Sequence, residues 1–312
     1  PIDQKELREL QNKLEDTSDD LRGSRWSAIS KATSRSQFLV SNKKNQILES
    51  MPQENKEKAT MLLSNLKEDL EELGQVANQK DKPSFLKIRR ESLKKIDDLE
   101  SLLLGNEFPY KIPDKYDNLP RLLGRANVEI KTSKGNMNAI IDGYNAPLTA
   151  GAFIDLSLKG FYDGLPMNRA EEFFILQTGD PKGQEIGYID PDSNQIRTVP
   201  LEIRTPNAKD TLYEQTFEEV GLYTETPVLP FATLGTLGWA HSDSDLNDGS
   251  SQFFFFLYEA ELNPAGRNLI DGRNAAFGYI IEGSEILNKL GVEDKIIGIK
   301  VLNGSENLKL KA

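Results

Sequence analysis

The sequence predicts a multidomain chain of α plus β class, in which an N-terminal four-helix bundle is followed by an antiparallel β-barrel with flanking helices. Leucine-rich stripes at helical spacing occupy residues 1–105, and short apolar runs bounded by Gly, Asn and Pro occupy residues 125–312. A chain of 312 residues is long enough for two domains of ordinary size. We therefore expect two domains with different architectures.

Apolar residues recur at intervals of three and four in the first 105 residues, which is the period of an amphipathic helix. The stripes run through residues 7–14, 62–73 and 93–103, and the breaks fall near Gly23, Pro52 and Pro83. Each stripe must be buried against another element. Four amphipathic segments separated by short breaks therefore predict a four-helix bundle.

Residues 106–124 carry three prolines and no helical period, as a domain linker does. The predicted domains are therefore 1–105 and 125–312. In the second domain, runs such as 128–130 and 138–141 predict strands, and 147–158 predicts a helix. The strands outnumber the helices and do not alternate with them, which favours an antiparallel barrel over a parallel sheet.

Composition excludes several classes of function. A net charge of -11 argues against general nucleic-acid binding, and no run of about 20 apolar residues could span a bilayer. The chain has no Cys and one His, His241, so thiolate chemistry, disulfides and sites with two imidazoles are excluded. We expect a binding protein or an enzyme that needs no nucleophile, metal or cofactor. The start at Pro1 suggests that a targeting peptide has been removed.

Two short segments place a Gln beside Phe side chains: FILQTGD at 174–180 and GSSQFFFF at 249–256. Four consecutive Phe cannot share one face of a strand, so Phe253–Phe256 predicts a strand buried on both faces. Gln252 leads into this strand. A Gln at the edge of an apolar wall can hydrogen-bond a peptide group while the rings hold an apolar side chain. These segments predict a site for an uncharged peptide.

The same segments resemble the cyclophilin signature. In MNRAEEFFILQTGD (167–180), Arg169 stands five residues before Phe174 and eight before Gln177, which is the spacing of that signature. Other segments match cyclophilin segments in the same order along the chain: GYNAPLTAGAF (143–153), GWAH (238–241), GSSQFFF (249–255) and LIDGRNAAFG (269–278). The resemblance covers about 125–312. The helical half, with NLPRLLGRA (118–126) and VPLEI (199–203), resembles the multidomain thylakoid-lumen cyclophilins, which join a PsbQ-like helical bundle to a cyclophilin barrel.

The resemblance implies a closed antiparallel β-barrel with flanking helices, and a peptidylprolyl cis/trans isomerase that acts on Xaa-Pro bonds without cofactor or metal. It implies catalytic roles for Arg169, Phe174 and Gln177. The substrate-binding residues that it implies are Ile175, Ala240, His241, Gln252, Phe254, Leu269, Ile270 and Asn274. Between Asp180 and Trp239 the chain is longer than a minimal cyclophilin, which predicts an inserted loop or hairpin beside the groove.

Two departures leave a second function open. Leu269 and Asn274 replace the Trp and His of the family, so we expect weak cyclosporin binding, and Glu171 and Glu172 could draw Arg169 into a local ion pair. The alternative is a cyclophilin-like chaperone or assembly factor with weak turnover that binds Pro-containing segments. Under both readings the partners are Pro-containing polypeptide clients, including photosystem II subunits, in a thylakoid lumen or periplasm.

Overall fold

The computed structural model describes residues 4–104, 108–181, 187–206, 210–258 and 269–310. The chain divides into two compact units, residues 1–109 and 110–312. The predicted boundary at residue 105 and the first two residues of the predicted linker lie outside the described residues.

The described part of the first unit is helical. Its elements are α1 (Lys5–Glu15), α2 (Thr17–Arg22), α3 (Trp26–Asn42), α4 (Lys44–Glu49), a 3-10 turn (Gln53–Asn55), α5 (Lys56–Gln79) and α6 (Lys82–Leu104). The breaks between them fall where Gly23 and Pro52 predict them, and Pro83 lies in the first turn of α6. None of the helices described in this chain is long and apolar enough to cross a membrane.

Buried leucines join the four longer helices. Leu7, Leu10 and Leu14 of α1 are fully buried in one cluster with residues of α3, α5 and α6. Helix α1 contacts α3 and α6, and α5 contacts the same two helices. These contacts bury the apolar stripes that the sequence predicts. That α1, α3, α5 and α6 form a four-helix bundle stays a prediction.

The second unit is built on β-structure. Its elements are β1 (Arg121–Leu122), β2 (Arg125–Thr132), β3 (Gly135–Asp142), α7 (Pro147–Leu158), β4 (Met167–Glu171), β5 (Ile175–Thr178), β6 (Ile189–Asp190), β7 (Gln195–Ile196), β8 (Glu202–Ile203), β9 (Leu212–Tyr213), β10 (Thr236–Trp239), β11 (Phe253–Phe256), β12 (Ala276–Glu282), β13 (Ile296–Asn303) and β14 (Leu308–Lys309). Within the described part of this unit, three 3-10 turns cover Asp114–Tyr116, Ser284–Lys289 and Ser305–Asn307. Helix α7 has the bounds that the sequence predicts.

Eight strands form one antiparallel sheet in the order β13-β2-β3-β12-β10-β11-β5-β4. The segment just before β4 also bonds the start of β13: Pro166 bridges Lys295, and Ile296 N donates to Leu165 O over 2.9 Å. Closure of the whole sheet into a barrel stays a prediction. The two hairpins β6-β7 and β8-β9 lie in the stretch where the sequence predicts an insertion.

Strand β11 contributes to two apolar clusters at once. Phe253 and Phe255 are fully buried in the large core beneath the sheet, whereas Phe254 and Phe256 belong to a smaller cluster on the other face. This alternation confirms the prediction of a strand buried on both faces. The smaller cluster forms the floor of the candidate site described below.

Helix α7 receives its N-terminal partner from the inserted hairpin. The backbone N–H of Thr149 donates to Oε1 of Glu202 over 2.7 Å, and Glu202 is fully buried on β8. Burial raises the pKa of the Glu202 carboxyl to about 8, although the hydrogen bonds from the helix terminus act in the opposite direction. The inserted hairpin therefore caps a core helix with a titratable group.

Residues just before β1, together with Leu122 of β1 itself, pack into the second unit. Tyr116, Leu119 and Leu122 are buried in its large core, and the Tyr116 hydroxyl donates to Oε1 of Glu214 over 2.7 Å. The C-terminal part of the predicted linker, from residue 110 onward, thus belongs to the same compact unit as the sheet.

Candidate functional site

Two residues with predicted catalytic roles, Arg169 and Gln177, meet the predicted substrate-binding residue Phe254 where β4, β5 and β11 run side by side. Arg169 lies directly opposite Gln177, and Gln177 lies opposite Phe254. Gly238 on β10 continues the same row, opposite Phe254. Because residues at paired positions share one face of an antiparallel sheet, Arg169, Gln177 and Phe254 form one line on the sheet surface.

A register shift in β4 adds one more polar side chain to this line. Met167 pairs with Thr178 and Arg169 pairs with Gln177, so Asn168 is the extra residue of a bulge. Its Nδ2 donates to Oε1 of Gln252 over 3.1 Å. Alternation in a regular strand would point Asn168 and Arg169 to opposite faces, and the bulge relaxes that rule.

The amide of Gln252 connects the polar side chains of the site. Its Oε1 also accepts a 2.7 Å hydrogen bond from Nε2 of Gln177, and its own Nε2 donates to Oδ1 of Asp180 over 3.0 Å. Asn168 and Asp180 are functional candidates that sequence reasoning missed. The x-Gly-Asp ending of the first segment was the available signal for Asp180.

The guanidinium of Arg169 is engaged by an acid on its own strand. Nε of Arg169 donates to Oε1 of Glu171 over 2.7 Å, and Nη2 forms an ion pair with the same oxygen. Both side chains are about half exposed, at 52% and 45%. An arginine carries five N–H donors, so this pair leaves others on Arg169 for a ligand. The local ion pair that the sequence suggests is present in the structure.

An apolar cluster lies on the same face of the sheet. Its buried members are Ile175, Phe231, Phe254, Phe256 and Ala276, and the half-buried residues packed against them include Phe174, Ala240, Tyr258 and Ile270. We call these nine residues the apolar socket. The structure therefore brings together five predicted site residues, namely Phe174, Ile175, Ala240, Phe254 and Ile270.

A tight turn positions Phe174 at the edge of the socket. The backbone N–H of Phe174 donates a hydrogen bond to the carbonyl oxygen of Glu171 over 3.0 Å, and Phe173 between them adopts a φ of 61°. A left-handed φ is costly for a residue with a Cβ, so the surrounding bonds must hold this turn. Leu257 N bonds the carbonyl of Phe174 over 2.8 Å, which ties the turn to the end of β11.

Phe231 packs against two other members of the apolar socket, and sequence reasoning missed it. Its ring stacks on Phe254 with centroids 5.6 Å apart and meets Phe256 edge-on at 5.7 Å. Only 2% of Phe231 is exposed. Its backbone N–H donates to Oδ1 of the buried Asp271 over 2.8 Å. Phe231 lies in the stretch between the two recognised segments, so no motif signals it.

A cavity of about 160 Å³ opens beside Gln177 and Gln252. It is lined by Gln177, Ala240, His241, Ser242, Asp248, Gly249, Ser250 and Gln252. The inserted segment fixes two of these lining residues by hydrogen bonds. Val199 N donates to Gly249 O over 2.7 Å, and Tyr188 N donates to Ser250 Oγ over 2.9 Å. The cavity brings together four predicted residues, Gln177, Ala240, His241 and Gln252, and the first and last of them are hydrogen-bonded to each other.

The other predicted residues take different positions. His241 and Asn274 are neighbours, with Asn274 Nδ2 lying 3.1 Å from His241 Nε2 and 3.3 Å from the carbonyl of Trp239. The carbonyl of Arg273 lies 3.0 Å from the same His241 nitrogen. Leu269 is 91% exposed and is not part of the apolar socket.

Two family models match consecutive parts of the chain. Residues 127–299 match the cyclophilin type peptidyl-prolyl cis-trans isomerase family, and residues 1–104 match the PsbQ-like domain of CYP38-like peptidyl-prolyl cis-trans isomerases. The first match covers the eight-stranded sheet except for the first two residues of β2 and the last four residues of β13.

Curated relatives resemble the chain over nearly its full length. The Synechocystis sp. protein sll0408, named as a thylakoid lumen peptidyl-prolyl cis-trans isomerase, is 43% identical over 99% of this chain and 81% of its own length. Chloroplastic CYP38 of Arabidopsis thaliana is 36% identical over 99% of this chain and 72% of its own. A crystal structure of a Cryptosporidium parvum cyclophilin type isomerase aligns at 22% identity, over 57% of this chain and 98% of that one, with a TM-score of 0.41. On the family match and the first two relatives, this chain belongs to the cyclophilin-type peptidyl-prolyl cis-trans isomerase family.

Proposed function

We propose that this chain isomerises Xaa-Pro bonds of protein clients, with Arg169, Gln177 and Phe174 as its catalytic residues. The observation that carries the proposal is the alignment of Arg169, Gln177 and Phe254 across three strands, beside the apolar socket. This arrangement sets a cationic donor, an amide and an aromatic floor next to one another. A prolyl peptide offers the matching groups: a ring nitrogen, flanking peptide groups and an apolar ring.

Arg169 would lower the barrier to rotation. That barrier is about 18 to 20 kcal/mol and comes from amide resonance, so a donor that binds the prolyl nitrogen as it pyramidalises favours the twisted state. The guanidinium keeps its charge and presents a rigid set of donors. Catalysis of this kind stabilises the transition state and forms no covalent intermediate.

The other residues would hold the client. Ile175, Phe254 and Ile270 would contact the prolyl ring together with Phe174. Gln252, Ala240, His241 and Asn274 would contact the peptide on the side of the 160 Å³ cavity, with Leu269 at the exposed rim. Because one side of the bond is held in the socket and the other by amides, the two sides can rotate relative to each other.

The test is turnover of an Xaa-Pro tetrapeptide by the intact chain, beside Arg169→Ala and Arg169→Lys variants of unchanged far-UV circular dichroism and melting temperature. We expect Arg169→Ala to lose about 100-fold or more in kcat/KM, the scale of losing one donor to a developing charge. Arg169→Lys keeps the charge and is expected to recover only part of the activity, because it lacks the planar fork. Equal rates for all three proteins would overturn the proposal.

A second function is favoured by two observations on the same site. Arg169 is paired with Glu171, and the ring of Phe231 stacks on that of Phe254, covering part of the apolar socket. Both could limit turnover while leaving a peptide-binding surface. In this alternative the chain is a chaperone or assembly factor that binds Pro-containing segments. Peptide binding with near-background isomerisation in both the intact chain and Arg169→Ala would support it.

We place the chain in a thylakoid lumen, with photosynthetic membrane proteins such as photosystem II subunits among its clients. The names of the relatives support this location: one is a thylakoid lumen protein and the other is chloroplastic. Co-purification of photosystem II subunits with the intact chain, reduced by a Pro-containing competitor peptide, would test the client assignment. We expect cyclosporin to bind weakly, because Leu269 replaces the family Trp.

We also propose the finer architecture that the site depends on. The helical domain would span 1–105 and form a four-helix bundle, 106–124 would connect the domains, and 125–312 would form a closed barrel. Contacts of α1 and α5 with α3 and α6 support the bundle. The bridge between Pro166 and Lys295 supports closure of the sheet.

A further inference from the structure

Three amides and one carboxylate form a directed chain of hydrogen bonds beside the apolar socket. Nε2 of Gln177 and Nδ2 of Asn168 both donate to Oε1 of Gln252, at 2.7 and 3.1 Å. Nε2 of Gln252 donates to Oδ1 of Asp180 at 3.0 Å. Asp180 stands at the end of this chain, with no place in the roles described above.

The direction of the chain follows from the chemistry of its last member. An ionised carboxylate has no hydrogen to donate, so the group of Gln252 that faces Asp180 must be its NH2. The carbonyl oxygen of Gln252 then faces Gln177 and Asn168, and each of them must present its own NH2. An Asn or Gln in place of Asp180 would accept or donate equally well and would set no direction.

The backbone holds Asp180 in this position. Gly179 has a φ of 91°, and a Cβ on it would lie 2.5 Å from the carbonyl oxygen of Ser251. The Ser251 hydroxyl donates to the carbonyl oxygen of Gly179 over 2.8 Å. The contact between Gly179 and Ser251 thus holds the end of β5 against the start of β11, which sets Asp180, the next residue after Gly179, beside Gln252, the next residue after Ser251.

We infer that Asp180 is a positioning residue for the isomerase site: its carboxylate fixes the amide of Gln252, and through it turns the carbonyl oxygen of Gln177 toward the client. The amide of Gln177 has two sides, and its NH2 side is bound to Gln252. Its Oε1 is then the group available to accept a hydrogen bond from a client peptide N–H or from Arg169 across the strand pair. This inference rests on the proposed function and names a residue that the function did not assign.

The decisive experiment exchanges the two end groups. Asp180→Asn removes the direction of the chain at nearly constant shape, and Gln252→Glu sets two carboxylates against each other. The double variant reverses the hydrogen bond between positions 180 and 252, because the new amide at position 180 would donate to the new carboxylate at position 252, but it restores the orientation of Gln177 and Asn168. That carboxylate would in turn accept from Gln177 and Asn168. Asp210→Asn, at an exposed position, is the matched control.

We expect Asp180→Asn to lower kcat/KM for an Xaa-Pro tetrapeptide by about tenfold, in line with the strength of a charge-assisted hydrogen bond. Gln252→Glu should lose at least as much. The double variant should return to within about threefold of the original chain, as expected when two coupled residues are exchanged together. If Asp180 served only to stabilise the fold, the substitutions would change the melting temperature, and kcat/KM would not recover in the double variant.

A second readout does not depend on turnover. In 1H-15N spectra, the side-chain amide groups of Gln177 and Asn168 should each give one pair of signals in the original chain and in the double variant. Asp180→Asn should shift or broaden them, and it should weaken binding of the same tetrapeptide. Unchanged signals and affinity in Asp180→Asn, or a double variant no better than the singles, would overturn the inference. Absence of turnover in the original chain would instead contradict the proposed function, and the spectra and affinities would still decide the role of Asp180.

Discussion

Arg169 and Glu171 stand two residues apart on β4, and the Nε–H of Arg169 donates a 2.7 Å hydrogen bond to Oε1 of Glu171. Side chains two residues apart share one face of a strand, so in the proposed mechanism the acid would compete directly with a client for the guanidinium. Because both groups are about half exposed, this competition must weaken as salt screens it.

Glu171→Gln is therefore expected to raise kcat/KM for an Xaa-Pro peptide by about two- to fivefold at low ionic strength, the range of an exposed ion pair. The gain should shrink at about 1 M salt, where the screening length is only about 3 Å. Glu172→Gln is the matched control, since Glu172 is also exposed and adjacent. Equal effects of the two substitutions, or no effect of either, would contradict a specific role for the Arg169 pair.

Leu269→Trp should strengthen cyclosporin binding by at least about tenfold, the effect of adding an aromatic anchor at an interface. The 91% exposed side chain of Leu269 leaves room for an indole without repacking. Binding can be followed by titration calorimetry. Leu302→Trp, at a half-exposed position of β13, controls for nonspecific contact with a new indole. Similar affinities of the two variants would show that position 269 is not the determinant.

Phe231→Ala should lower the free energy of unfolding of the second unit by about 3 to 5 kcal/mol, because it removes a buried ring and leaves a cavity. The ring lies against both Phe254 and Phe256, and only 2% of it is exposed. Urea unfolding measures the loss. Tyr223→Ala, at a 68% exposed position, should change stability far less. A small effect at Phe231 would mean that the apolar socket can collapse or open at low cost.

The stability of the second unit should fall as pH rises from about 4.5 to 8. The pKa of Glu202 is about 8 in the folded chain and 4.5 as its ordinary value, so the folded state binds more protons across this interval. A difference of one proton corresponds to a slope of about 1.4 kcal/mol per pH unit. Above a pH of about 8 this contribution no longer changes.

Glu202→Gln should remove that slope while its amide oxygen still accepts the Thr149 N–H. The measurement is the free energy of unfolding from urea titrations at several pH values, compared between the variant and the original chain. Glu293→Gln, at an exposed position, controls for the loss of one carboxylate. Parallel pH profiles of the Glu202→Gln variant and the original chain would contradict the buried-acid assignment.

Much of the fold could be predicted because it depends on local periodicity. Four consecutive Phe fix the alternation of β11 between two apolar clusters, and the spacing of leucines fixes which faces of α1 and α5 are buried. The recognised segments supplied Arg169 and Gln177, and the structure places the two residues opposite each other on paired strands.

Three site residues depend on long-range geometry that the sequence does not express. Asn168 reaches Gln252 only because of the bulge in β4, and bulges have no fixed composition. Asp180 belongs to a recognised segment, yet its partner lies 72 residues away. Phe231 comes from the insertion, where an aromatic residue could equally lie on the surface or in the core.

Strand β11 carries the floor of the apolar socket and the wall of the large core on one backbone. Any displacement that made room above Phe254 and Phe256 would also move Phe253 and Phe255, which are packed without exposed surface on the opposite side. A close-packed interior resists such movement. The floor is therefore stiff, and in the proposed site adjustment to clients of different shape would fall to β4, the last strand in the order of the sheet, and to the turn that carries Phe174.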